Sequence, residues 1–155
     1  MLHGWAQNTH VFLSRSKKLV KRLRKSGYRV VFLQAPHRLP PKKDDTTADV
    51  PLQSREYAYA WFWYNPDDPA ADSTPIPSST GDYAGMDQSL ALIREELDQL
   101  RQEDSSQAPI FLLGFSQGAV LVHKIATLIC DENSDSGTSN TWKMIEKCVL
   151  ASRRQ

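Results

Sequence analysis

The chain has 155 residues, one domain's worth, with 40% hydrophobic and 24% charged residues, an ordinary composition for a folded globular domain. A net charge of +1 excludes the strong field that a polyanionic partner such as nucleic acid would call for, and no apolar run approaches the length of a membrane span. Cys130 and Cys148 are the two cysteines, too few for a disulfide framework, so a reducing, cytoplasmic setting is expected, with the nucleus as the alternative.

Met1-Leu2 reads as the stub of a strand closing on His3-Gly4. From Met1 to Tyr28 there is no acidic residue, and Arg15, Lys17, Lys18, Lys21, Arg22, Arg24 and Lys25 crowd one stretch, as in mitochondrial transit peptides. Phe12, Leu19, Val20 and Leu23 recur at helical spacing and leave the basic residues on other faces, which favours an amphipathic helix with a solvated surface over import. Arg29-Val30-Val31-Phe32-Leu33-Gln34 predicts a strand, and strand, crossover helix and strand favour a parallel α/β sheet. A polar loop from Pro36 to Ser54 follows. Tyr57 to Tyr64 has strand-like propensity, with Tyr57, Tyr59, Trp61 and Trp63 on one face if extended.

Asn65 to Gly81 is rich in proline, aspartate and serine and reads as a loop. Met86, Leu90, Ile93, Leu97 and Leu100 keep helical spacing. Pro109 to Leu113 has the length and composition of a buried parallel strand, and Ala119 to Cys130 is apolar almost all round, as for a helix buried against a sheet. Asp131 to Asn140 is a polar linker, and Lys147 to Ala151 begins another strand.

Between the strand at Pro109 and the helix at Ala119 lies Gly114-Phe115-Ser116-Gln117-Gly118. A serine between two glycines at a strand-to-helix junction is the pattern of a nucleophile elbow. The turn lifts the hydroxyl clear of the sheet in a strained conformation, and the residues two before and two after must be small where strand and helix nearly touch. Gly114 and Gly118 meet that demand, which makes Ser116 the candidate nucleophile.

His3-Gly4, Ala35-Pro36-His37, Trp61-Phe62-Trp63, Tyr83-Ala84-Gly85-Met86-Asp87-Gln88-Ser89-Leu90 and the Ser116 motif follow one another in an order that resembles the FSH-type serine hydrolases of the α/β-hydrolase superfamily. The opening Leu2-His3-Gly4-Trp5-Ala6-Gln7-Asn8 is especially close to that family's pattern. The resemblance runs through essentially the whole chain. It implies a partial α/β-hydrolase fold, a mostly parallel sheet flanked by helices, and attack of Ser116 on a small-molecule ester or thioester carbonyl through an acyl-enzyme. It also implies oxyanion donors at the backbone N–H groups of Gln117 and Trp5, with His3 orienting their loop. Trp61, Trp63 and His37 are candidate pocket residues, although alternating aromatics more often pack a core, and His37 reads as loop structure. No cofactor and no metal are expected.

Triad partners in this fold follow the nucleophile in the order serine, acid, histidine. After Ser116 the sole histidine is His123, about 10 Å along the helix at a rise of about 1.5 Å per residue, and it reads as a packing residue. Asp131, Glu132, Asp135 and Glu146 do not match the family acid's place after a strand end. The expectation is therefore a single domain over residues 1–155 truncated at both ends, with a catalytically impaired binding module as the alternative to an esterase. Open sheet edges would then favour self-association and marginal stability.

Overall fold

Asn8 begins the first helix because its Oδ1 accepts the Val11 N–H at 2.8 Å, satisfying one of the amides that a helix leaves open at its start. The structure is a computed structural model, and it describes residues 1–40, 57–65, 83–103, 108–132 and 145–151. Helix α1 (Thr9–Lys25) carries Arg22, Arg24 and Lys25 in its last turn, where the helix dipole favours cations. Gly27 then takes φ 85°, which lets the Tyr28 N–H reach back to the Leu23 carbonyl and end the helix. Phe12 and Val20 are buried as the spacing predicts, whereas Leu19 lies among the exposed residues at 39%.

Strand β1 (His37–Arg38) pairs antiparallel with β2 (Tyr59–Ala60). Helix α2 (Met86–Glu103) leads to β3 (Ile110–Phe115), then α3 (Gln117–Glu132) and β4 (Ile145–Ala151), which runs parallel to β3. Leu2 bridges Leu33 on one side and Gly114 on the other, both parallel. The segments at Leu33, Leu2, β3 and β4 therefore lie side by side in that order and one direction. This is a mixed α/β chain built on a small parallel sheet.

Two predicted strands are shorter than expected. Arg29 to Gln34 makes a single bridge at Leu33, because Met1 and Leu2 offer ladder groups only to Val31 and Leu33: the Met1 amine donates to Val31 O at 2.7 Å and Leu33 N–H to Met1 O at 3.2 Å. Tyr57 to Tyr64 is a strand only at Tyr59–Ala60. Its burial does not alternate, since Ala60, Trp61 and Phe62 are consecutively buried. The Gln117 side chain takes the Trp61 N–H and the Phe62 carbonyl, groups that a continuing ladder would have used. Pro36 to Ser54 reads as loop in the sequence, whereas His37–Arg38 pairs with β2.

The core joins Leu2, Leu33, Trp61, Phe62, Ile93, Leu97, Leu112, Leu121 and Ile125. On α2, Met86, Ile93 and Leu97 face it as the spacing predicts, joined by Ser89, while Leu90 and Leu100 are half-buried. On α3, Leu121, Val122 and Ile125 face it, while Val120, His123 and Thr127 are exposed. The expectation that His123 packs in the interior is thus corrected: three and four residues from Val120 and Thr127, it shares their solvent-facing stripe. Helix α3 runs on to Glu132 and β4 starts at Ile145, so the strand begins two residues before its predicted start.

The remainder of the loops at 41–54 and 66–81, the linker at 133–140 with Asp135, and the side chains of Cys130, Asp131, Glu132 and Glu146 lie outside the described residues. Cys148, on β4, is half-buried. Among the described residues no helix is long and apolar enough to cross a membrane, and no cluster of metal-ligating side chains occurs.

Candidate active site

Ser116 occupies the one-residue turn between β3 and α3, with φ 52° and its side chain exposed. A non-glycine residue at positive φ costs on the order of 1 kcal/mol and persists only where its surroundings impose it. The flanking glycines show what imposes it. A Cβ on Gly114 would lie 2.2 Å from the Gly118 carbonyl oxygen, and one on Gly118 would lie 2.6 Å from the carbonyl oxygens of Leu2 and His3. These are backbone atoms that have no room to yield, so strand, turn and helix close on one another only with hydrogen at both positions.

Gln117, the first residue of α3, is fully buried. Its Oε1 accepts the Trp61 N–H at 2.8 Å and its Nε2 donates to the Phe62 carbonyl at 2.7 Å. Its backbone N–H belongs to the helix's first turn and has no intrahelical carbonyl to bond.

The other side of Ser116 is formed by the turn after Leu2. A Cβ on Gly4 would approach Ser116 Cβ to 3.2 Å, so the His3-Gly4-Trp5 backbone lies against the serine. Gln7 Oε1 accepts the Gly4 N–H at 3.3 Å, and Ala6 takes φ 53°, which closes the turn on itself. His3 is fully buried: Nδ1 donates to the Gly4 carbonyl at 2.8 Å, and Nε2 accepts the Ala35 N–H at 3.2 Å and faces Gln34 Nε2 at 3.2 Å. Burial pushes its pKa down to about 4 against the opposing pull of the Gly4 carbonyl, so the ring is neutral at physiological pH and pins the loop.

Trp5 is half-buried and meets Trp63 edge to face, at 6.4 Å between centroids, and Tyr64 at a tilt, at 5.5 Å. His37 packs against Trp63 at 5.3 Å and donates from Nε2 to the Gly85 carbonyl at 2.8 Å. Gly85 is at φ 80°, with no room for a side chain beside that imidazole. Trp61 is fully buried, and its Nε1 donates to the His3 carbonyl at 2.9 Å, so its ring belongs to the core. Trp5, Trp63 and His37 are thus brought together, while Trp61 is set apart from them. Among the described residues none of the four histidines hydrogen-bonds Ser116; His10 and His123 are both exposed on helix surfaces.

Ser89 has no role assignable from its place in the Tyr83–Leu90 motif alone. It is fully buried on α2, and its hydroxyl donates to the Trp61 carbonyl. A small polar residue inside the apolar register of Met86, Ile93 and Leu97 was the available signal, since a buried hydroxyl needs a partner.

A parallel strand, a tight turn bearing an exposed serine between two close-packed glycines, and a helix thus follow one another around Ser116. The chain belongs to the serine hydrolase (FSH1) family, which it matches over residues 1–152. Among curated proteins it is similar to Esterase OVCA2 of Xenopus tropicalis, with 29% identity over 127 residues, 82% of this chain and 51% of that protein. The chain therefore spans about half the length of that curated relative. No solved structure matches it.

Proposed function

We propose that this chain carries the nucleophile and oxyanion donors of a hydrolase acting on small esters or thioesters, with Ser116 as nucleophile. The observation that carries the reading is the positive φ of the exposed Ser116, held between two glycines that admit no side chain. The similarity to a protein named as an esterase supports an ester carbonyl as the target.

In this reading Ser116 Oγ attacks the carbonyl carbon, the alcohol or thiol departs, and water cleaves the resulting acyl-enzyme. Negative charge gathers on the former carbonyl oxygen at each addition. The Gln117 N–H, at the positive end of α3, and the Trp5 N–H, on the turn laid against Ser116, are the donors proposed to receive it. Loss of one such donor typically costs about a hundredfold or more in rate.

The test is a fluorophosphonate probe followed by peptide mapping. Covalent labelling of Ser116 that disappears in Ser116→Ala supports the reading. Folded protein that stays unlabelled, or is labelled at another residue, overturns it.

A further inference from the structure

We infer that Trp61 and Phe62 form a positioning brace that holds the two proposed oxyanion donors at a set separation, an inference that rests on the Ser116 reading above. Four polar groups of this dipeptide are committed at once. The Trp61 N–H donates to Gln117 Oε1 at 2.8 Å, the Phe62 carbonyl accepts Gln117 Nε2 at 2.7 Å, the Trp61 indole Nε1 donates to His3 O at 2.9 Å, and the Trp61 carbonyl accepts the Ser89 hydroxyl. The first two bonds grip the residue that supplies one donor. The third grips the residue two before Trp5, which supplies the other.

His3, Gln117, Trp61 and Ser89 are all fully buried, so a broken bond leaves a polar group without water to replace its partner. His3 O is also one of the two oxygens against which Gly118 packs. The indole bond, the elbow glycine and the Trp5 turn therefore meet at one carbonyl. Packing alone would need the Trp61 ring in the core; it would not need its N–H aimed at the backbone of the turn beside the nucleophile. A misplacement of about 1 Å in such an arrangement costs up to about a hundredfold in rate, which gives the brace a measurable effect without contact to substrate.

The experiment replaces Trp61 in the whole chain by benzothienylalanine, which keeps the ring's volume and removes the N–H, and separately makes Gln117→Met, which keeps the backbone N–H and removes both side-chain bonds. The readouts are the maximal fluorophosphonate labelling rate, the half-saturating probe concentration, and the phosphorus NMR resonance of the Ser116 adduct, whose oxygen occupies the oxyanion position. The brace predicts a fall of about tenfold in maximal rate for each variant, an unchanged half-saturating concentration, and an adduct resonance moved toward that of the denatured adduct. Wild-type protein that does not label at Ser116 removes the nucleophile reading and the brace with it. Wild-type protein that labels while both variants match its rate and resonance removes the brace alone. Rate and half-saturation worsening together, with the resonance unmoved, would assign the segment to packing only.

Discussion

The two ends of the parallel sheet are built differently. At the carboxyl end, around Ser116, His3, Gln117, Ser89 and Trp61 are fully buried and joined by hydrogen bonds that span the chain. At the amino end a groove of about 570 Å³ runs past Tyr28, Val31, Leu100, Ile110 and Phe111, none of which belongs to the candidate active site. The ion pair beside it, Arg29 to Glu103 at 3.0 Å, is exposed on both partners, with side chains 62% and 44% accessible. One end fixes backbone positions through directional bonds that cannot be exchanged for water. The other combines backbone bonds at Val31 and Leu33 with apolar contact and an exposed ion pair that solvent screens. The groove has the volume of a ligand pocket, yet the proposed nucleophile lies where the backbone is most constrained.

That contrast breaks most visibly at the elbow glycines. Gly118→Ala and Gly114→Ala force a methyl onto backbone oxygens that cannot move, so each is expected to destabilise by about 3 kcal/mol or more or to prevent soluble expression. Urea unfolding with a midpoint near that of the parent chain would show that the constrained end is not constrained.

Acid sharpens the contrast next. His3 has its folded pKa lowered to about 4, below the ordinary value of 6.5, so as pH falls the unfolded chain takes the proton first. Stability should decline between about pH 6.5 and pH 4, by at most about 3 kcal/mol, and the term should be level below that window. The buried Met1 amine, lowered from 8.0 to about 5, adds a loss of the same sign that begins near pH 8. His3→Gln is expected to flatten the part between pH 6.5 and 4 in denaturation curves; an unchanged slope would show that His3 does not carry it.

A smaller effect of opposite sign is expected at the serine itself. Ser116→Gly relieves the positive φ and should raise stability by about 1 kcal/mol while abolishing labelling. A destabilised glycine variant would mean that the turn is not under strain. Smallest of all, Glu103→Gln removes the exposed ion pair and should leave the melting temperature unchanged within error. A clear drop there would erase the distinction between the two ends.

Much of the candidate site's local geometry was legible in spacing. Gly114, Ser116 and Gly118 were readable because their requirement is steric and short in range: the glycines face each other across a turn formed by consecutive residues. The register of α2 followed from helical periodicity for the same reason. The reading failed where a distant partner decided. His123 lies on an apolar helix yet faces solvent, and Leu19 keeps helical spacing yet is exposed, because burial depends on what packs opposite. The aromatic run at Tyr57 to Tyr64 looked like a strand because its propensity is strand-like; a glutamine 56 residues away from Trp61 took its backbone groups instead.

The sequence by itself determined the family, the helices and the serine-bearing turn, since periodicity and glycine spacing act over a few residues and need no partner. Tertiary structure alone decided that Trp61 lies apart from Trp5, Trp63 and His37, that His3 is a neutral buried pin, and that Ser89 and Gln117 bond the Trp61-Phe62 backbone while the Trp61 indole bonds the His3 carbonyl. Those outcomes depend on hydrogen bonds between residues 28 to 58 positions apart, and no local pattern encodes which buried polar group will answer another across the core.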